Sequence, residues 1–251
     1  MKRHLIFSTI AACVMLSSCS SAASKGATFR IIGRIDNDLL IRFISGIDKF
    51  DRISITSEGE DIVAASKIAR LVKERNIDVD VVRYCLSACS QMILPAARSI
   101  YIERDAIVAM HNSPLTLGYL LKVSGFERYS QKYEKLVSIE NSFYSDLGVD
   151  ANFLINGIWK LEPICIVENT GDQDFAGVAF KYAFYVPSRS LYEKWIGKSV
   201  DGFWPSSKKA FFVSARKSIP KRVNLSFVFG EENESIHITK KIELCEKEDL
   251  Q

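Results

Sequence analysis

After Leu16 the chain has no apolar run long enough to cross a bilayer, which takes about 20 predominantly hydrophobic residues. It has no glycine-rich phosphate loop, no dinucleotide fingerprint and no cluster of metal-ligating residues, so no motif supports a cofactor or a metal. Internal repeats are absent, and low complexity is confined to residues 20–27. Charge of one sign is also scarce. The formal net charge is +3, and loss of Lys2 and Arg3 with a leader would leave +1, too little to argue for nucleic acid. Cysteines are few and not spaced C-x-x-C, which argues against thiol-redox chemistry.

What is present begins with the leader. Lys2 and Arg3 precede the apolar stretch Leu5–Leu16, and Ser17-Ser18-Cys19 follows, so residues 1–18 read as a secretory signal. Leu16-Ser17-Ser18-Cys19 resembles a bacterial lipobox, which would make Cys19 the lipidated first residue. Ile10-Ala11-Ala12-Cys13 fits the pattern but leaves too short an apolar region. Ordinary cleavage near Ala23, without a lipid, is the alternative. Lipidation at Cys19 with Ser20 next implies a bacterial envelope protein, anchored in the outer membrane facing the periplasm. Attachment would be through the lipid alone, with residues 19–27 as a tether.

An exported chain can form disulfides. Cys85 and Cys89 are either a short-loop disulfide, which requires Cys85 to lie outside the helix, or two small buried residues. Cys165 paired with Cys245 would close a long loop, the entropically more useful staple.

The hydrophobic pattern predicts a strand over 28–35, a helix capped by Asn37 or Asp38 and running to about Asp48, and a strand over 52–56. A loop Ser57–Glu60, a helix over 61–75 and a strand over 78–84 follow. Strand–helix–strand order implies parallel pairing and a right-handed crossover. Ser87–Ala97 reads as a short buried helix, and 99–102 and 107–111 as strands. A long helical stretch after Pro114 carries Phe126, Tyr129, Tyr133, Leu136, Val137, Phe143, Tyr144 and Leu147 at three–four spacing and stops at Gly148. A small helix covers 151–159. Beyond it come a strand over 178–186, a helix over 188–196, and β-leaning runs at 210–215, 223–229 and 235–244, with a hairpin turn at Gly230–Asn233. This tail reads as an antiparallel appendage. The fold class is therefore α/β, with a parallel-sheet domain at 28–160 and a smaller α+β extension at 161–251.

Cys85-Leu86-Ser87-Ala88-Cys89 and Met110-His111-Asn112 carry the chemistry. A serine at a strand-to-helix turn and a histidine delivered by a later strand are the minimum for nucleophilic acyl transfer. The order of parts over residues 28–125 resembles the Clp-protease/crotonase superfamily, a spiral of strand–helix units, and in particular its envelope-directed branch. The resemblance implies Ser87 as nucleophile and His111 as general base. It places the oxyanion donors at the Ala88 N–H and the loop at Gly59 or Glu60.

Three departures qualify the resemblance. Glu58 and Glu60 put carboxylates beside the oxyanion site. The strand near Lys181–Tyr185 has no aspartate to orient the histidine, and Asp146, Asp150, Asp172 and Asp174 are the carboxylates left to supply one. Ala96-Ala97 replaces the usual Ala-Gly. The structural alternatives are Ser87 as a helix N-cap and His111 as a buried strand-end histidine. His237 lies on an alternating stretch and reads as exposed and inert. Trp195–Trp204 reads as packing. Two functions follow: a serine hydrolase of peptide or other acyl bonds with weak or absent turnover, or a non-catalytic scaffold. The partners are then a peptide or acyl substrate, a protein partner, or a homo-oligomer.

Overall fold

The computed structural model describes residues 26–169, 175–220, 226–230 and 241–246. Its centre is a six-stranded parallel sheet. Strands β1 (Ala27–Ile35), β2 (Phe50–Glu60) and β3 (Asp78–Leu86) pair in that order, separated by helices α1 (Asn37–Gly46) and α2 (Ile62–Glu74). Along its length β3 then meets two short strands. Its first half pairs with β4 (Ile100–Ile102) and its second half with β5 (Ile107–Ala109). Between β3 and β4 the chain makes a buried π-helical turn, Cys89–Ile93, and a single turn α3 (Leu94–Ala96).

The strand and helix pattern of residues 28–109 matches the sequence expectation, and the architecture is mixed α/β with a parallel sheet. Helix α2 buries Ala65, Ile68, Ala69 and Val72, residues three or four apart as a one-faced helix requires. Two details differ. The cap of α1 is Asp36, whose side chain accepts from Leu39 N, rather than Asn37 or Asp38. Residues 57–60 are not a free loop but the last part of β2. They pair with Gly33–Ile35 across a register shift in which Glu58 is the extra residue, next to Gly59 at φ +85°.

The helical stretch after Pro114 is broken into α4 (Pro114–Val123), α5 (Glu127–Ser130) and α6 (Glu134–Leu147). The first break falls at Ser124-Gly125, where Gly125 has φ +88° and ends the run; Gly148, left-handed, caps α6 as expected. Helix α7 (Asn152–Lys160) follows.

The C-terminal half departs further. Instead of one strand over 178–186, an antiparallel pair forms from β6 (Pro163–Asn169) and β7 (Phe175–Phe180), and β8 (Phe184–Val186) is separate. Helix α8 (Arg189–Ile196) is capped by Ser188. Strand β9 (Asp201–Gly202) joins the main sheet beside β4, in parallel. Residues 210–215 are not a strand but lie in helix α9 (Lys208–Ser218), capped by Ser207. Strand β10 (Phe227–Phe229) pairs with β8 in parallel rather than as part of an antiparallel appendage. Most of the 235–244 run, the hairpin residues 231–233 and His237 lie outside the described residues.

Helix α9 forms where a strand is expected because the sheet beneath it needs a cover. In β3, Cys85 faces the main core while its neighbours Tyr84 and Leu86 face the other way. That second face is closed by Phe211 and Ala215 of α9 with Phe227 of β10, and Phe211 and Phe227 lie ring to ring at 4.9 Å. A parallel sheet buried on both faces reads as continuously apolar. The second half of β3 and all of β5 do so.

Both cysteine pairs are disulfides, Cys85–Cys89 and Cys165–Cys245. Among the described residues no helix is long and apolar enough to cross a membrane.

Candidate active site

Strands β2, β3 and β5 run in parallel, so their last residues share one edge of the sheet, the edge where crevices form in such folds. Ser87 follows β3 and His111 follows β5 at that edge.

Ser87 makes the turn from strand to helix in the left-handed conformation, φ +53°. A residue with a Cβ adopts this at a cost of about 1–2 kcal/mol, so its surroundings must enforce it. Ser87 N donates to Ala109 O at 3.1 Å, and Gln91 N donates to Ser87 O at 3.0 Å. The Ser90 hydroxyl lies within hydrogen-bond distance of both Ser87 O and Ala109 O. The Cys85–Cys89 disulfide spans the turn. A sharp strand-to-helix turn of this kind lifts a serine hydroxyl clear of the backbone.

The π turn behind Ser87 leaves two carbonyls to side chains. Tyr192 Oη donates to Ser90 O at 2.7 Å and Tyr144 Oη to Gln91 O at 3.3 Å. Burial holds both phenols well above their usual range, so they remain neutral donors.

His111 is placed by main-chain contacts. Met110 exchanges hydrogen bonds with Tyr185 at 2.8 and 2.9 Å, which ties the end of β5 to β8. The His111 carbonyl accepts from Gln91 Nε2 at 3.0 Å. Its ring lies 5.4 Å from the Phe184 ring and also borders a small apolar space lined by Leu154, Ile158 and Leu161. Burial lowers the imidazole pKa and a backbone hydrogen bond to Asn112 partly opposes this, so the ring is a neutral base at pH 7.

Ser87 and His111 open into one cavity of about 510 Å³, with Ala88, Gln91, Asn112, Ser113, Ile62 and Leu136 among its walls. Among the described residues no hydrogen bond joins the Ser87 hydroxyl to the imidazole. No carboxylate among them acts on the ring either. Of the four aspartates considered, Asp146 is ion-paired with Arg70 and Asp150 accepts from Asn152 N. Asp172 and Asp174 lie outside the described residues. The strand beside the histidine is the one without an aspartate, and it presents Phe184.

The presumed oxyanion donors are only partly available. Ala88 stands at the head of the π turn, directly over Gly59, since a Cβ on Gly59 would come within 2.7 Å of Ala88 N. The Gly59 N–H already donates to Ser57 Oγ at 3.0 Å. Glu60, at φ +117°, lines the cavity and pairs its carboxylate with Arg34, so its charge is compensated by a cation.

Two neighbours of the site have no role assigned from the sequence. Asn112 lines the cavity with a buried, unpartnered Oδ1. Glu140 is completely buried against Ser113 and Leu115. The signal for Glu140 was available: in Tyr133, Val137, Glu140, Tyr144 and Leu147 it occupies the buried stripe of a helix, where a carboxylate is out of place.

No family model and no curated protein matches the sequence. Solved structures do match at low similarity. ClpP1 from Listeria monocytogenes aligns with TM-score 0.42 and 13% identity over 73% of this chain and 94% of that one. A mutant of the same protein gives TM-score 0.40 and 15% identity over 73% and 94%. The ClpP protease catalytic domain from Plasmodium falciparum gives TM-score 0.42 and 13% identity over 72% and 87%.

Proposed function

We propose that the chain is a lipid-anchored envelope protein whose sheet-edge cavity is a serine-hydrolase site of the Clp-protease type, acting on peptide or other acyl bonds. One observation carries the reading: Ser87 sits at an enforced left-handed strand-to-helix turn and opens, with His111, into the same cavity. Ser87 attacks the acyl carbon, His111 takes its proton, and the Ala88 N–H faces the developing oxyanion. Because no carboxylate among the described residues acts on His111 and Gly59 N–H is engaged by Ser57, turnover is expected to be low.

The experiment is labelling of the protein with a fluorophosphonate. The expected adduct is on Ser87 and is lost in Ser87→Ala. No labelling, together with retained binding of peptides to the cavity, favours the second reading, a non-catalytic peptide-binding scaffold. The absence of a Ser87–His111 hydrogen bond supports that alternative. Anchoring is tested separately by metabolic palmitate labelling of the wild type and Cys19→Ala; equal incorporation removes the lipoprotein assignment.

A further inference from the structure

We infer that Glu140 is a positioning residue for His111, anchoring through its charge state the Ser113–Leu115 segment that follows the histidine and making the site geometry respond to pH. This rests on the reading of Ser87 and His111 given above.

The segment from His111 to Leu115 is held at three points. Gln91 Nε2 donates to His111 O, and Ser113 N donates to Thr116 Oγ1 at 2.7 Å. Leu115 N donates to Glu140 Oε2 at 2.6 Å, and the Ser113 side chain, close by, favours the charged form of the same carboxyl. Asn112, Ser113 and Pro114, between these points, form cavity wall. Helix α4 does not need Glu140 as a cap, because Ser113 and Thr116 already form a reciprocal capping box. The carboxyl instead reaches across from α6 to fix the link between the histidine strand and α4.

That hold depends on a proton. Glu140 is completely buried, its Oε1 has no partner, and burial pushes its pKa up to about 7 against the bond from Leu115 N and the influence of the Ser113 side chain. Ionised, it accepts from Leu115 N as a charged acceptor, which makes a shorter and stronger bond than the neutral acid. The segment is therefore gripped more firmly as pH rises through neutrality.

The surroundings do not mask this titration. On α6 itself the neighbouring group is Tyr144, neutral because buried. On α2, Arg70 and Lys73 both turn to Asp146. From the π turn comes the uncharged Gln91, from α8 the neutral Tyr192, and from the end of β5 the neutral His111. Among the described residues, burial, Leu115 and Ser113 are what act on the Glu140 carboxyl.

The test uses the full chain in detergent with ¹³Cε1-labelled histidine, the His111 signal being assigned by His111→Gln. In the wild type the His111 resonance should show, besides its own protonation at lower pH, a second step with a midpoint near 7. Glu140→Gln should abolish that step, and fluorophosphonate labelling of Ser87 at pH 8 should fall about threefold or more, as misplacement of a catalytic group does. Ser113→Ala, which removes a side chain that favours the charged form, should move the step to higher pH. Superimposable profiles for wild type and Glu140→Gln overturn the inference. If Glu140→Gln does not fold, an unmoved step in Ser113→Ala overturns it alone. Failure of Ser87 to label in any variant defeats the hydrolase reading, while the histidine signal still decides the role of Glu140.

Discussion

Two glycines separate the cost of an unusual backbone from the cost of crowding. Gly33 and Gly59 have nearly the same φ, +89° and +85°. A Cβ on Gly33 would meet nothing within 4 Å, whereas one on Gly59 would press to 2.7 Å on Ala88 N and Leu86 O. Gly33→Ala should cost only the left-handed penalty, about 1–2 kcal/mol. Gly59→Ala adds overpacking against main chain, for about 2–5 kcal/mol in all. Because the clash is with the Ser87 turn, labelling of Ser87 should disappear in Gly59→Ala and persist in Gly33→Ala. Urea midpoints and fluorophosphonate labelling of the two variants check both halves. At this scale the places of Ser87 at a strand-to-helix turn and of His111 at the end of a strand were legible, since each is announced by its local motif. The pairing of Glu60 with Arg34 was not, because it joins residues brought side by side only when β1 and β2 pair.

Glu140 gives a second prediction at residue scale. Its folded pKa of about 7 lies above its ordinary 4.5. Between those values the folded protein keeps a proton that the unfolded chain has released. Stability must therefore fall as pH rises from about 4.5 to about 7, by at most ~3 kcal/mol, and stay lower above that. Glu140→Gln removes the titration. Relative to wild type it should gain stability at pH 8 compared with pH 4, measured by urea denaturation at the two values. Parallel behaviour of the two proteins would show that Glu140 titrates alike folded and unfolded.

Among the elements, the starts of β2, β3 and β4 are fastened by one carboxylate. Asp78, only 6% exposed at the head of β3, accepts from Arg98, Arg52 and Ser99. The Arg98 hydrogen bond leads in holding its pKa below the ordinary 3.8, so its contribution is present above that value and lost as pH falls through the folded one. Asp78→Asn should lower stability by about 2 kcal/mol at pH 7. The gap to wild type should narrow toward pH 3, as thermal melts at both values would reveal. This edge also shows what the pattern of a sequence can convey. Alternation in Ile53 and Ile55, or the three–four spacing of α2, records a single buried face and was readable directly. Residues 57–60 misled because Ser-Glu-Gly-Glu has the composition of a turn, yet it pairs with β1 by bulging out Glu58. Residues 210–215 misled in the opposite sense. Phe211, Phe212 and Val213 favour strands, but Phe211, Ser214, Ala215 and Ser218 share a helix face that the far side of β3 requires.

Over the whole molecule, the two disulfides act on very different lengths of chain. Cys85 and Cys89 are 4 residues apart, so their bond constrains the unfolded state little and serves mainly to hold the Ser87 turn. Cys165 and Cys245 are 80 apart, and their bond fastens the described segment 241–246 to β6, where Ile166 N donates to Glu243 O and Cys245 N to Ile166 O. Loop-closure entropy assigns about 2 kcal/mol to the short loop and about 4.5 kcal/mol to the long one. The latter is a large share of the ~5–15 kcal/mol that a domain of ordinary stability possesses. The double variant Cys165→Ala/Cys245→Ala should therefore lose about twice the stability lost by Cys85→Ala/Cys89→Ala, by urea denaturation. Reactivity should show the reverse order. The long-loop variant, while folded, should label at Ser87 like the wild type, because that bond touches neither the Ser87 turn nor the cavity. The short-loop variant should label more slowly although it is the more stable of the two. Equal losses of labelling in both would mean that the Ser87 turn depends on the whole fold rather than on its local bridge.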